Sequence, residues 1–167
     1  MHTISTPQQM IEFMTLAKEH KILLVHGELG AGKTLLTKGF AKGLGLNEHH
    51  VQSPTYAYLN VYDSNFNRQG NQNAVSLDDI MPTIETASIN EVKLQISKTV
   101  GKKLLHIDMY RIKEYNELVE KGIIDQINEY EHIVIERPKF IDKLPIKNSI
   151  IVTIEKISES ERSIEVK

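Results

Sequence analysis

The segment Gly27-Glu28-Leu29-Gly30-Ala31-Gly32-Lys33-Thr34 sets a lysine and a hydroxyl directly after a run of glycines. Its spacing satisfies G-x-x-x-x-G-K-[ST] at every fixed position, and each part has a chemical use. Glycines let the backbone turn tightly enough for successive N–H groups to point inward at phosphate oxygens. A helix that starts there adds the positive end of its dipole. Lys33 supplies a mobile positive charge for β- and γ-phosphates, and the Thr34 hydroxyl supplies a ligand for Mg²⁺. The chemistry implied is binding and hydrolysis of a nucleoside triphosphate with magnesium. Gly makes up about 7% of ordinary proteins, so this pattern should arise by chance in well under ~1% of chains of this length.

Such a site also needs an acidic partner for the metal and a group that positions water. Asp108 closes the run Leu104-Leu105-His106-Ile107-Asp108, and Glu136 closes Ile133-Val134-Ile135-Glu136. In parallel α/β sheets ligands gather at the carboxyl ends of strands, so two acids there could converge on one nucleotide. Both also have ordinary uses. Asp108 could cap a turn, and either acid could pair with Arg111 or Arg137. Spacing alone leaves those uses open.

The elements that would position these groups can be read from periodicity and punctuation. Thr6-Pro7 is a capping hydroxyl followed by proline at a first helical position. Apolar Met10, Ile11, Met14 and Leu16-Ala17 then recur at helical spacing to about Lys18. Ile22–His26 is short and aliphatic like a buried strand, and it runs directly into the glycine-rich segment. Leu35, Leu36, Phe40 and Leu44 continue at helical spacing, with Gly43 and Gly45 as stop signals. Tyr56–Tyr62 alternates like a strand, and Asp63–Asn73 is polar like a loop. Ile89–Val100 shows helical spacing after a capping Ser88. Lys103–Asp108 and His132–Glu136 read as strands, with a helix over Glu114–Lys121 between them that stops at Gly122. Ser149–Ile154 and Ser163–Val166 read as closing strands. Alternating strands and helices predict an α/β fold, a single-domain P-loop NTPase over 1–167 with a mainly parallel central sheet flanked by helices.

Composition bounds the partners. At 167 residues and 19.0 kDa the chain can bury a sizeable core. A net charge of −2 argues against strong free-standing affinity for nucleic acid, which needs a surplus of Lys and Arg. The absence of cysteine excludes disulfides and thiolate metal sites. The N-terminal Met1–Ser5 has neither a basic nor an apolar leader region, and apolar runs such as Ile22–Val25 are too short to span a bilayer. A soluble, cytoplasmic protein without membrane association is the expectation.

Four segments taken in order now carry a resemblance. They are the loop 27–34, Ser53-Pro54-Thr55-Tyr56, His106-Ile107-Asp108-Met109-Tyr110-Arg111 and Ile135-Glu136. Together they resemble the TsaE (YjeE) family, bacterial P-loop ATPases of tRNA threonylcarbamoyladenosine synthesis, whose pattern runs roughly G-D-L-G-A-G-K-T, S-P-T-F/Y, H-F-D-L-Y-R and E-W. Gly122-Ile123 fits the family's glycine after the third segment. The resemblance covers about residues 3–140, less a long stretch between Tyr62 and Lys103. It implies ATP and Mg²⁺ as cofactors, with Glu28, Leu29, Gly30, Ala31, Gly32, Lys33, Thr34 and Leu35 around the phosphates. It implies a catalytic set of Lys33, Thr55, Asp108 and Glu136. Thr55 would sense the γ-phosphate and metal from a switch-like loop, and Asp108 would help position the metal or the attacking water. Glu136 would join Thr34 at the metal. The adenine would lie near Ser5 and Thr6, and Arg162 would reach the nucleotide. The implied partners are the TsaD and TsaB proteins, with tRNA approached indirectly through their complex and ATP hydrolysis resetting it.

Two departures from the family pattern stand out. The family tryptophan after the glutamate is Arg137 here. On a strand its side chain would point away from the nucleotide face, so a partner contact is expected of it. With no other arginine evident in the site, turnover by the chain alone is expected to be slow. The stretch at about 64–102 is an insertion, read as a tolerated surface segment because loop closure costs grow slowly with length. Two other functions stay open: a small-molecule kinase, which would need an arginine-bearing lid, and a nucleotide-dependent interaction module without turnover.

Overall fold

A computed structural model describes residues 2–64 and 102–167. Seven strands form one sheet: β1 (His2–Ile4), β2 (Ile22–His26), β3 (Leu59–Asp63), β4 (Lys103–Asp108), β5 (His132–Glu136), β6 (Ser149–Lys156) and β7 (Arg162–Val166). Their spatial order is β1-β7-β6-β2-β5-β4-β3. The four central strands β6, β2, β5 and β4 are mutually parallel. The pairs at both edges, β1–β7, β7–β6 and β4–β3, are antiparallel. The sheet is therefore an α/β core that is parallel in its centre and mixed as a whole.

Both faces of the central strands are covered, which is why β2, β4 and β5 read as unbroken aliphatic runs instead of alternating ones. Side chains still alternate between the faces. Leu23, Val25, Leu104 and Val134 join one buried cluster with Met10 and Met14 of α1 (Pro7–Thr15) and Leu36 and Phe40 of α2 (Lys33–Gly43). Leu24, Leu105, Ile107, Ile133 and Ile135 join a second cluster. It also holds Leu118 of α3 (Tyr115–Glu120) and Ile123 and Ile127 of α4 (Ile123–Glu129). His106, Asp108 and Glu136 fall in the alternation of the first face, the side on which α2 begins.

Helix α1 starts as its sequence prescribes. The Thr6 hydroxyl accepts from the Gln9 amide at 3.2 Å, and Gln9 Oε1 accepts in return from the Thr6 amide at 3.2 Å. This reciprocal cap satisfies donors that a helix start leaves free. Against α1 packs α2, through Gly39: a Cβ there would meet the Ile11 carbonyl at 2.5 Å and Met14 Cβ at 2.8 Å. Only a residue without a side chain permits that approach.

Three expectations change. The strand read over Tyr56–Tyr62 begins only at Leu59, because 54–58 closes a turn. There the Tyr58 amide donates to the Pro54 carbonyl at 2.7 Å, and Tyr58 has φ 68°. Asp63 belongs to β3, not to a loop. Gly122 (φ 68°) ends α3 as expected but also opens α4, which the sequence reading missed because its seven residues are too few to show a period. The helix expected over Ile89–Val100 and nearly all of the 64–102 insertion lie outside the described residues. At the segment's ends the Ser64 amide donates to the Lys102 carbonyl at 3.1 Å, extending the β3–β4 pairing by one step. Among the described residues no helix is long and apolar enough to cross a membrane.

Candidate functional site

The loop joining β2 to α2 lies at the carboxyl edge of the parallel strands. Gly27 adopts φ 152°, and a Cβ on it would meet the Ile154 carbonyl at 2.7 Å, so the chain leaves β2 here only as glycine. Gly30 and Gly32 also have positive φ, 75° and 110°. Lys33 opens α2 with its side chain folded back over the loop. Its ammonium donates to the Gly27 carbonyl at 2.9 Å and the Glu28 carbonyl at 2.7 Å. Burial, and then the charge of Arg137, lower the Lys33 pKa below the ordinary lysine value, while Glu136 and Asp108 act in the opposite sense.

Asp108 and Glu136 are register partners on β4 and β5, and both are buried. Parallel pairing of two strand-end acids brings them together at the mouth of the loop. Glu136 Oε1 accepts from the Thr34 hydroxyl at 3.1 Å and lies 2.9 Å from His106 Nε2. With Glu136 ionised, Nε2 carries the proton and donates. His106 is fully buried, and its Nδ1 has no hydrogen-bond partner among the described residues. Thr34 thus faces the metal-site acid expected of Glu136, while His106 orients that acid from behind. His106 was missed as a site residue. Its signal was present, since two residues before Asp108 on one strand is the same face of the sheet.

The other acid has different company. Asp108 Oδ1 accepts from the Tyr110 amide at 3.0 Å and from Arg137 Nε at 2.9 Å. Its Oδ2 accepts from the Thr55 hydroxyl at 2.6 Å and from Arg137 Nη2. Burial pushes the Asp108 carboxyl up, but hydrogen bonds from Arg137, Thr55 and the Tyr110 amide outweigh it and hold it below the ordinary aspartate value. The turn-capping and arginine-pairing uses therefore both apply to Asp108, and they leave it turned toward Thr55 and not toward Thr34. Ser53 completes the group, with its Oγ 2.7 Å from Thr55 Oγ1.

Arg137 corrects an expectation. It was expected to point away from the nucleotide face and to serve a partner, on the assumption that the strand continued. Strand β5 ends at Glu136, and Arg137 takes φ 51°. That left-handed residue breaks the alternation and swings the guanidinium into the site, where it spans Asp108 and Thr55 and lies 4.5 Å from the Tyr110 ring centroid. The site therefore does hold an arginine of its own.

Around the loop, Leu29 is exposed, Glu28 contributes its carbonyl to Lys33, and Leu35 packs on the first core cluster. Arg162 Nε donates to the Ala31 carbonyl at 3.1 Å, and its Nη1 to the Ser158 and Glu161 carbonyls at 2.9 Å. Ile4 pairs with Arg162 across β1–β7, and Met10 of α1 approaches Gly32. Exposed Ser5 and Thr6 lie between, so the N-terminal segment borders the loop.

These residues fit a magnesium-bound triphosphate. Octahedral Mg²⁺ holds oxygens at about 2.0–2.1 Å, which places neighbouring ligands about 3.0 Å apart. Thr34 Oγ1 and Glu136 Oε1 are separated by 3.1 Å. Among the described residues no group of three or more acidic or histidine ligands forms a metal cage.

A strand, a glycine loop of this form and a helix, with strand-end acids beside the loop, define a P-loop protein. The crystal structure of YdiB from Bacillus subtilis shares the fold, with a TM-score of 0.53 at 19% identity over 98% of this chain and 80% of that one. The profile of a family described as threonylcarbamoyl adenosine biosynthesis protein TsaE matches residues 2–78. The tRNA threonylcarbamoyladenosine biosynthesis protein TsaE of Aquifex aeolicus is 28% identical over 93% of this chain and 83% of its own length. The proteins of that name from Bacillus subtilis and Rickettsia typhi are each 26% identical. They cover 89% and 100% of this chain, and 70% and 94% of their own lengths. The chain is thus similar to TsaE proteins over most of its length.

Proposed function

We propose that this protein binds Mg·ATP at the 27–34 loop and hydrolyses it in support of the threonylcarbamoyladenosine modification of tRNA. The observation that carries the reading is the convergence of Lys33, Thr34, Thr55, Asp108 and Glu136, from four separate segments, on one edge of the parallel sheet. The relatives' names supply the pathway, and the TsaD and TsaB proteins are the partners proposed with it, in the cytoplasm.

Bound magnesium would neutralise charge on the β- and γ-phosphates and polarise the bond that breaks. The rest falls to the chain. Lys33 leaves the Gly27 and Glu28 carbonyls for phosphate oxygens, for which its ammonium is a mobile point charge. Thr34 and Glu136 hold the metal side, with Glu136 fixed by His106. The Thr55–Asp108 pair stands on the far side, where a carboxylate kept ionised can accept a proton from water. Adenine would lie against the Ser5–Thr6 segment, and Arg162 steadies the loop through Ala31.

The experiment is phosphate release from Mg·ATP by the purified chain, with and without TsaD and TsaB. The expected result is slow turnover alone and faster turnover with both partners, with tRNA modification over multiple turnovers requiring Lys33. Equal rates in all mixtures, together with modification that proceeds without this protein, would overturn the reading.

A further inference from the structure

The group formed by Ser53, Thr55, Asp108 and Arg137 is closed on itself. A hydroxyl offers one proton and two lone pairs, and a carboxylate about four acceptor positions. Thr55 gives its proton to Asp108 Oδ2 at 2.6 Å, and its oxygen accepts from Arg137 Nη2 at 3.2 Å. Its proton thus committed, it must accept from Ser53 across 2.7 Å. Asp108 receives four donors, two of them from Arg137. In this arrangement Thr55 has nothing left for a metal or a water, and Asp108 has little. Of the four, Arg137 has the longest side chain, and it can leave the group by side-chain rotation alone.

Arg137 is held there at a cost. Its φ of 51° is a left-handed backbone conformation that a residue with a side chain adopts only under strain. Its guanidinium charge also acts on Lys33, which already loses solvation by burial. The two cations therefore repel one another across the site, and an anion between them would relieve the repulsion. A guanidinium presents paired donors that match phosphate oxygens, as an ammonium does not.

We propose that Arg137 is the chain's own arginine for the terminal phosphate of a nucleoside triphosphate, parked on Asp108 and Thr55 until that phosphate arrives. The inference rests on the nucleotide-binding reading and adds to it a residue that discriminates triphosphate from diphosphate. Moving Arg137 to the phosphate would free lone pairs on Thr55 and Asp108 at the moment when they are needed to position water. A diphosphate has no group in that place, so Arg137 would stay on Asp108.

The test is calorimetry on the full chain with the magnesium complexes of ADP and of a β,γ-imido ATP analogue. Wild type should prefer the triphosphate analogue. Arg137→Gln, which keeps an amide donor for Asp108 but no charge, should bind the analogue about 10- to 100-fold more weakly, the worth of charged hydrogen bonds. Its affinity for Mg·ADP should fall less than about threefold, and Arg137→Lys should recover part of the analogue binding. Independently of any variant, the Arg137 Nε–H resonance of the wild-type protein should shift on adding the analogue and not on adding Mg·ADP. An equal change in affinity for both nucleotides, or a resonance that stays in place with the analogue bound, would sink the proposal. Wild type that binds neither nucleotide would instead overturn the nucleotide-binding reading, and this inference with it.

Discussion

The two halves of the site are built by different means. Lys33 and Thr34 are placed by the loop they belong to: Gly27 and Gly32 set the turn, α2 begins at Lys33, and the ammonium rests on carbonyls five and six residues away. Thr55, Asp108 and Arg137 come from three distant segments joined by charge and hydrogen bonds, spanning 82 residues between Thr55 and Arg137. The first half is a local motif that a neighbouring substitution should leave standing. The second is a network in which each member depends on the others, so single changes should propagate.

The largest effect should come from the local half. Lys33→Ala removes the phosphate cation and should weaken Mg·ATP binding about 100-fold or more, since charged hydrogen bonds are worth about 1.5–3 kcal/mol each. Calorimetry reads the loss, and circular dichroism should show the fold retained. Undiminished affinity would mean that the loop is not the nucleotide site. Next comes Glu136→Gln, which keeps shape but removes the charge facing Thr34. Turnover should drop ~100-fold, with a higher magnesium requirement and native thermal stability close to wild type. An unchanged magnesium dependence would separate Glu136 from the metal.

The network half should show itself in stability as much as in rate. Asp108→Asn strands a half-buried arginine, and a loss of about 2 kcal/mol in denaturant unfolding is expected along with slower hydrolysis. The pH dependence carries a definite sign. The folded pKa of Asp108 lies below its unfolded value, so its contribution is present above the unfolded aspartate range and lost as pH falls through the folded value. Below about pH 4 wild type should therefore lose stability faster than Asp108→Asn. Parallel stability curves for the two proteins would argue that the ion pair is not what stabilises this corner.

The smallest effect is expected from replacing the segment between Ser64 and Lys102. The Ser64 amide and the Lys102 carbonyl are already hydrogen-bonded at 3.1 Å, so a short glycine-containing turn can join those ends. Replacing residues 65–101 in this way should leave Mg·ATP affinity within about twofold of wild type. Loss of binding in a variant that still folds would assign the segment to the site and revive the kinase alternative.

Much of this molecule was determined by short-range sequence. The loop at 27–34, the Thr6–Gln9 cap, the strands at Ile22–His26, Lys103–Asp108 and His132–Glu136 all follow from patterns a few residues long, because backbone turning and burial are set by neighbours. The convergence of Asp108 and Glu136 needed only the further step of parallel pairing. Tertiary structure alone decided the rest. Alternation along β5 sends residue 137 to the wrong face, and only the observed φ of 51° reverses it. That backbone state is uncommon for arginine and invisible to any pattern of polarity. It is stabilised by Asp108, Thr55 and Tyr110, which lie 29, 82 and 27 positions away in the chain. Long-range charge pairing outweighed a local preference there, and so Arg137 faces Asp108 and Thr55 instead of the opposite side of the sheet.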